Sequence, residues 1–229
     1  MLREQDNLSG LFVIIACLFV SSLLLSNIIA GKLISIGGMT LPGAVILFPL
    51  AYIFGDILTE VYGYGRTRMV IWTGFACNIL MVGVFTLLMA IPSPDFFEVE
   101  EAFAIVLGMT PRIVMASLLA YLAGEFANAY VLSRMKILTR GRWLWTRTIG
   151  STLIGEGLDT IIFISVCFVG IVPHGILMQM VLYQYLFKVA FELLATPLTY
   201  IVVAYLKRRE GTDIYDHGIS YNPFQLEDI

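Results

Sequence analysis

The chain has 229 residues, of which 59% are hydrophobic and 14% are charged, and its mean hydropathy is +0.86. A soluble domain usually carries about 25% charged residues, so the composition excludes an ordinary soluble protein and predicts a polytopic membrane protein. The first apolar run, Leu11–Ile29, is long enough to span a bilayer and lacks a small-residue cleavage pattern. The sequence therefore predicts one transmembrane domain over residues 1–229, without a cleaved signal or a separate soluble domain.

Six membrane-spanning helices are predicted. In chain order they cover residues 11–30, 41–61, 69–91, 112–132, 149–172 and 176–206. Pro197 lies inside the sixth span and predicts a kink, because proline removes one helix hydrogen bond. The connection Pro92–Pro111 is acidic, and its stretch 96–107 fits either a short interfacial helix or a solvated loop. Residues 62–65 predict a turn between the second and third spans, since their glycines permit positive φ.

The basic residues are distributed unevenly between the two sides of the membrane. Eleven of the 14 lysines and arginines fall in the N-terminal segment, the connections 62–68 and 133–148, and the C-terminal tail. The opposite connections hold Lys32 and Arg112, and Lys188 lies within a span. The positive-inside rule then predicts that the tails, residues 1–10 and 207–229, are both cytoplasmic. We expect the C-terminal tail to lie on the surface.

The cysteines and histidines do not form a recognisable site. The three cysteines fall inside apolar runs without a CxxC spacing, and both histidines lie outside those runs. These features predict no disulfide, metal or cofactor, and cysteines that act as small buried hydrophobes. Motifs of intramembrane serine proteases and phosphate-binding glycine loops are missing as well, so the sequence predicts a protein that is not an enzyme.

Polar side chains recur inside the predicted spans. On four helices they are spaced three or four residues apart, which places them on one helix face. Ionisable groups in hydrocarbon are costly, so such faces are expected to meet in the protein interior and form a binding site. The candidate substrate-binding residues are Asn27, Tyr52, Asp56, Glu60, Asn78, Glu125, Asn128, Glu156, Asp159, Gln184, Lys188 and Glu192.

The charges of these candidates do not balance, because six are acids and only Lys188 is basic. Some acids must be protonated, some must pair with Lys188 or with Arg66, and some must await a ligand. A cationic ligand, or one rich in N–H groups, fits this deficit. Two alternative arrangements fit the same residues: Arg66 and Arg68 cap Asp56 and Glu60 at the membrane edge, or the polar stripes only join helices in a structural protein.

Several segments resemble the bacterial queuosine-precursor transporter family, also called the vitamin uptake transporter group. They are SNIIAGK (26–32), FPLAYIFGDILTEVYGYGRTR (48–68), GEFANAYVLSRMK (124–136), EGLDTIIF (156–163), the helix around Lys188 and YDHGISYNPF (215–224). The resemblance implies a six-span protein of the bacterial inner membrane, similar in fold to the substrate-binding subunit of energy-coupling-factor transporters. It also implies import of queuosine precursors such as 7-cyano-7-deazaguanine and 7-aminomethyl-7-deazaguanine, for salvage into tRNA queuosine.

The polar residues suit such a substrate. The guanine-like edge presents a ring N–H and an amino group, which match a carboxylate acceptor. We hypothesise that Glu60 or Asp159 binds this edge and that Lys188 holds an acid partner in the empty state. Lys188, Asn78 or Gln184 would donate to the ring carbonyl, and the flat ring would pack on aromatic side chains such as Tyr52, Phe48 and Phe163.

Two modes of transport are compatible with the sequence. The chain is either a self-sufficient importer, driven by protons or facilitative, or a substrate-binding subunit for another vitamin-like molecule that needs a separate ATPase module. In the second case the face formed by Ser22, Ser26 and Ala30 would dock the partner. An ATPase partner is thus neither required nor excluded. The expected partners are the small-molecule deazaguanine and the lipid bilayer. The sequence is compatible with a homo-oligomer, and we expect no direct binding of nucleic acid.

Overall fold

The computed structural model describes residues 9–29, 32–36, 39–94, 96–107, 111–170 and 173–225. In these ranges the chain is mainly helical, as predicted, with one small β-hairpin in addition. The elements are α1 (Gly10–Ile29), β1 (Leu33–Ile36), β2 (Met39–Pro42), a 3₁₀ turn (Gly43–Ile46), α2 (Phe48–Ala90), α3 (Glu100–Leu107), α4 (Pro111–Leu138), α5 (Leu144–Phe168) and α6 (His174–Glu210).

Five helices of the described chain are long and apolar enough to cross a membrane: Gly10–Ile29, Pro49–Ala90, Met115–Leu138, Leu144–Phe168 and Leu177–Glu210. The outer surface carries large apolar side chains, among them Leu80, Leu194 and Ile201, each about two-thirds exposed or more. Carboxylates and lysines are buried inside. Apolar side chains outside and charged side chains inside are the arrangement expected of a protein surrounded by lipid. The chain is therefore an all-α, multi-pass membrane protein.

The longest helix, α2, is broken at Gly63. This residue has φ 83° and ψ 166°, a conformation that glycine adopts without the penalty a Cβ would bring. A Cβ added at Gly55 would lie 3.4 Å from the Phe19 ring, and one added at Gly74 would lie 3.6 Å from the same ring. Residues 55 and 74 would stand about 28 Å apart in a straight helix. The chain therefore folds back at Gly63, and α2 consists of two arms, residues 48–62 and 64–90.

The segment before α2 differs from the prediction. The second span is predicted to begin at residue 41, but residues 39–42 form strand β2, and α2 starts at Phe48. Strands β1 and β2 pair antiparallel, with Ile36 opposite Met39. The chain between them reads Gly37-Gly38, a dipeptide favoured in two-residue hairpin connections. This local signal outweighs the hydropathy of the segment.

The last three helices extend further than predicted at their basic ends, and α5 ends at Phe168 instead of residue 172. α4 continues to Leu138 instead of residue 132, α5 starts at Leu144 instead of residue 149, and α6 ends at Glu210. Lys136, Arg147 and Lys207 thereby become helical residues at one end of the bundle. Hydropathy alone ends a span at its first charge, whereas long basic side chains are tolerated at helix ends.

Two regions of the fold bring the helices together closely. Helices α4 and α5 meet at Gly124 and Gly155, where an added Cβ would lie within 3.0 Å of the facing backbone carbonyl. The C-terminal tail, predicted to lie on the surface, instead packs on the Gly63 turn through the buried Asp216. Residues 100–107 form helix α3, so the helical alternative is confirmed for this part of the stretch 96–107, while its position at the membrane interface stays a prediction.

Candidate functional site

A group of buried polar side chains occupies the middle of four helices, and we call it the central cluster. Its members are Tyr52 and Asp56 on the first arm of α2, Glu125 and Asn128 on α4, Glu156 and Asp159 on α5, and Lys188 and Glu192 on α6. Each of these residues is 3% exposed or less. The three- and four-residue spacings place the two members of each helix on one face, as predicted.

Lys188 is the base of the central cluster. Its ammonium lies 2.5 Å from Asp159 Oδ2 and 2.7 Å from Glu156 Oε2. This agrees with the hypothesis that Lys188 holds an acid partner. Tyr52 lies close to Asp159, and both side chains border Gly124. A Cβ added at Gly124 would lie 2.5 Å from the Tyr52 hydroxyl and 2.9 Å from Asp159 Cβ. Gly124 thus lets α4 approach both the first arm of α2 and α5.

Asp56 and Asn128 link α2 to α4. The Asn128 amide donates a 2.7 Å hydrogen bond to Asp56 Oδ1. Glu192 and Glu125 are the charged groups that act most strongly on Asp56. Glu125 in turn lies within reach of the charges of Glu156, Asp159 and Lys188. The central cluster is therefore one connected electrostatic unit.

Acceptors outnumber donors in the central cluster. Within the described part of the chain, four of its buried oxygens lack a hydrogen-bond partner: Asp56 Oδ2, Glu125 Oε1, Asn128 Oδ1 and Glu192 Oε1. The same holds for the hydroxyls of Thr152 and Thr160 on α5. Buried polar atoms in native proteins are normally hydrogen-bonded, so a group of orphaned acceptors is a place where a donor-rich ligand gains affinity.

Glu60, one turn after Asp56, belongs to a different group. Arg147 donates to both Glu60 oxygens at 2.7 Å, and Lys207 lies 2.5 Å from Glu60 Oε1. Lys136 donates to the Glu60 carbonyl at 2.6 Å and to Asp213 at 2.6 Å. We call these five residues the end network. The cations on Glu60 thus come from α4, α5 and α6, whereas Arg68 binds the tail carbonyls of Ser220 and Asn222.

The tail closes this end of the bundle. Asp216 accepts hydrogen bonds from the Tyr64 backbone N–H at 3.0 Å and from the Ser133 hydroxyl at 2.5 Å. Burial opposes ionisation of Asp213, but hydrogen bonds from Lys136 and Lys207 and their charges lower the pKa of Asp213 below its ordinary value. The tail therefore binds the Gly63 turn and the basic helix ends through fully paired groups.

The comparisons with known proteins identify the family of this chain. The family model described as "Putative vitamin uptake transporter" matches residues 42–202. This chain belongs to the vitamin uptake transporter family. A relative from Bacillus subtilis (strain 168), named "Probable queuosine precursor transporter", is 30% identical over 83% of the chain and 82% of its own length. The Escherichia coli (strain K12) protein named "Queuosine precursor transporter" is 25% identical over 73% and 75%. No solved structure gives a significant match.

The family is one of transporters and not of enzymes, and the match covers every helix of the central cluster. The remaining predicted site residues of this transporter lie elsewhere. Asn27 donates to Asn78 at 2.5 Å, and Asn78 donates to the Gly74 carbonyl, so these amides join α1 to the second arm of α2. Gln184, one turn before Lys188, is partly exposed. The Phe48 side chain and Ala30 lie outside the described residues.

Three further features of the transporter bear on the predictions. Ser22 and Ser26 are buried, which confirms helix packing and removes them as a face for docking a partner. Of the cysteines, Cys167 is buried, but Cys17 is exposed on α1, so its predicted burial is wrong. Among the described residues no group of histidine, cysteine or acidic side chains has the geometry to hold a metal ion.

The sequence does not identify Arg147, Lys136, Asp213 and Asp216 as structural partners. The apolar run begins at Ile149, so hydropathy assigns Arg147 to a loop. One signal is available: five other intramembrane acids share a single lysine, which leaves Glu60 without a base, and Arg147 stands at the start of a later acidic helix. Asp216 lies in a tail segment that resembles the family but has no apolar run from which its position could be predicted.

Proposed function

We propose that the chain is an inner-membrane importer of queuosine precursors and that the central cluster binds the deazaguanine. The names of the two relatives support the substrate class, and the orphaned acceptors of the central cluster support the location. The orphaned acceptors are the observation that carries the proposal. A guanine-like edge offers several N–H donors and would satisfy acceptors that the described chain leaves without partners.

The contacts also suggest roles within the cluster. Glu60 binds Arg147 and Lys207 with both oxygens, so we assign the guanine edge to Glu125, with Asn128 Oδ1 as a further acceptor. Lys188 would donate to the ring carbonyl while it keeps Asp159 or Glu156 as a partner. Tyr52 offers an aromatic face beside Asp159.

The topology that we propose has six spans, with α2 crossing the membrane twice. The break at Gly63 turns the chain back, and each arm is about 20 Å long or more by the rise of a helix. The end network and the Gly63 turn carry the basic residues, so the positive-inside rule places this end, and both termini, in the cytoplasm. A likeness to the substrate-binding subunit of energy-coupling-factor transporters remains a prediction.

The test is restoration of queuosine in tRNA. A bacterium that neither makes queuosine precursors nor has its own importer would express the chain and receive 7-cyano- or 7-aminomethyl-7-deazaguanine at low concentration. We expect queuosine to return with the wild type. Glu125→Gln removes a charged acceptor, whose hydrogen bonds contribute about 1.5–3 kcal/mol, so uptake should fall about tenfold or more.

The matched control is Glu101→Gln, which makes the same chemical change on the exposed helix α3. It should restore queuosine fully at equal membrane abundance. Uptake by the purified chain in liposomes adds a second arm, because transport without any other protein excludes dependence on an ATPase module. Failure of both precursors in cells and in liposomes would refute the proposed substrate.

A further inference from the structure

The central cluster holds more carboxyl groups than its single lysine can neutralise. Asp56, Glu125, Glu156, Asp159 and Glu192 share Lys188, whose ammonium contacts Glu156 and Asp159. Three acids remain, and each has one orphaned oxygen in the described part of the chain. Carboxylates buried together cannot all stay ionised, so additional positive charge must reside there, either as bound protons or on the ligand.

The orphaned oxygens point to Asp56 and Glu192 as the pair that holds this charge. Both residues are buried, each keeps one oxygen without a partner among the described residues, and Glu192 on α6 interacts electrostatically with Asp56. From α4 the pair faces Glu125 and the Asn128 amide, from α5 it faces Glu156, and on α2 it neighbours Glu60. Asn128 occupies Asp56 Oδ1, which leaves Asp56 Oδ2 and Glu192 Oε1 as acceptors. Asn128 Oδ1 is itself orphaned and buried, which marks the pair as part of a ligand site.

We propose that import is coupled to protons in a way that depends on the charge of the substrate. This inference rests on the proposed function. A neutral deazaguanine travels with one proton bound at Asp56 Oδ2 or Glu192 Oε1. A deazaguanine that carries an ammonium group places that cation against the same oxygens and travels without the proton. The proton enters from the outer solution onto a carboxylate and leaves to the cytoplasm from the resulting carboxylic acid.

The consequence is a distinctive pattern of driving forces. Both substrates move one positive charge inward, since the ammonium replaces the proton. A membrane potential therefore drives both. A pH gradient drives only the neutral substrate, because only that substrate carries a proton. A gradient of one pH unit, coupled one to one, supports about a tenfold accumulation.

The experiment uses the full chain in liposomes with labelled 7-cyano-7-deazaguanine as the neutral probe and 7-aminomethyl-7-deazaguanine as the cationic probe. We expect an inside-negative potassium diffusion potential to accumulate both probes. An inside-alkaline pH gradient should accumulate the neutral probe alone. A pH electrode should record external alkalinisation only when the neutral probe enters.

Glu192→Gln tests the assigned pair with little change of shape. Asp56→Asn makes the matching change at the other member of the pair. Entry of the neutral probe should lose its response to the pH gradient in at least one of these two variants, whereas Glu101→Gln should keep it, and a response kept by both would overturn the assigned pair. The comparison of the two probes on the wild type needs no variant, so misfolding of Glu192→Gln cannot hide the result. Entry of both probes without proton movement, or with equal proton movement, would overturn the inference and leave the proposed function standing. Entry of neither probe would overturn both.

Discussion

The end network and the central cluster contain the same kinds of side chain, but they balance them differently. In the end network, Glu60 meets a bidentate arginine and a lysine, and Asp213 meets two lysines. In the central cluster, five acids meet one lysine, and several oxygens have no partner in the described chain. Asp56 of the central cluster and Glu60 of the end network are both buried and lie one helical turn apart on α2.

This difference separates groups that hold the bundle together from groups that await a ligand. A buried charge that is fully paired is costly to disrupt, because removal of one partner leaves the other uncompensated. A buried carboxylate without a donor costs stability in the folded state, so its retention indicates a function outside folding. Substitution of a paired charge should therefore lower stability, whereas substitution of an orphaned acid of the central cluster should lower transport more than stability.

The largest loss of stability is expected for Arg147→Leu. The substitution removes the bidentate partner of Glu60 and leaves Lys207, with Lys136 at 3.9 Å, to neutralise it. Breaking a buried ion pair costs about 3–5 kcal/mol, and we expect the lower end of that range because Lys207 remains. Thermal unfolding in detergent and abundance in the membrane would measure it. Arg142→Leu, an exposed arginine nearby, should have little effect, and equal losses for both variants would contradict the role of the network.

The next largest effect is expected for Lys188→Met. It leaves Glu156 and Asp159 without their shared cation and should lower the stability by about 3 kcal/mol, the lower end of the range for a broken buried ion pair, because the acids can take up a proton. The double variant Lys188→Met/Asp159→Asn removes one of the two stranded charges. It should recover part of the stability but none of the transport, and the double-mutant cycle measures the coupling. A double variant that is less stable than the single would refute the pairing.

Much of this arrangement can be predicted from the sequence. The period of the polar residues on four helices places Asp56, Glu125, Asp159 and Lys188 in one interior, because the cost of charge in lipid allows few alternatives. The excess of acids over bases is visible as well. Helical period and charge balance are local properties, and they carry over to the structure wherever the helices are continuous.

The pairing between helices is less predictable. Arg66 and Arg68 are closest to Glu60 in sequence, yet Arg147 and Lys207 bind it. Which basic side chain reaches an acid depends on where a helix begins and how the chain turns at Gly63, and hydropathy places such boundaries poorly. The tail illustrates the same point, because its docking depends on hydrogen bonds to backbone atoms exposed at that turn.

A smaller effect is expected for Asp216→Asn. The carboxylate accepts from the Tyr64 backbone N–H and from the Ser133 hydroxyl, and the neutral amide loses one acceptor and the charge. Hydrogen bonds to charged groups contribute about 1.5–3 kcal/mol, so we expect a loss of about 1–2 kcal/mol confined to docking of the tail. Limited proteolysis of the tail would detect it. His217→Ala, an exposed neighbour, serves as control, and equal cleavage of the two variants would count against the anchor.

The smallest effect concerns Asp213 and depends on pH. Its pKa is lower in the folded protein than its ordinary value, because Lys136 and Lys207 outweigh the burial that opposes ionisation. A group with a lowered pKa stabilises the fold above its unfolded value, about 4, and loses that contribution as the pH falls through the folded value. Asp213→Asn should therefore lower the melting temperature slightly at about pH 6–7, and the difference from the wild type should shrink as the pH falls below about 4. A difference that does not shrink in acid would mean that the asparagine perturbs packing, since protonation of Asp213 removes the difference in charge. A difference that disappears would place Asp213 with Glu60 among the paired charges, in contrast to the acids of the central cluster.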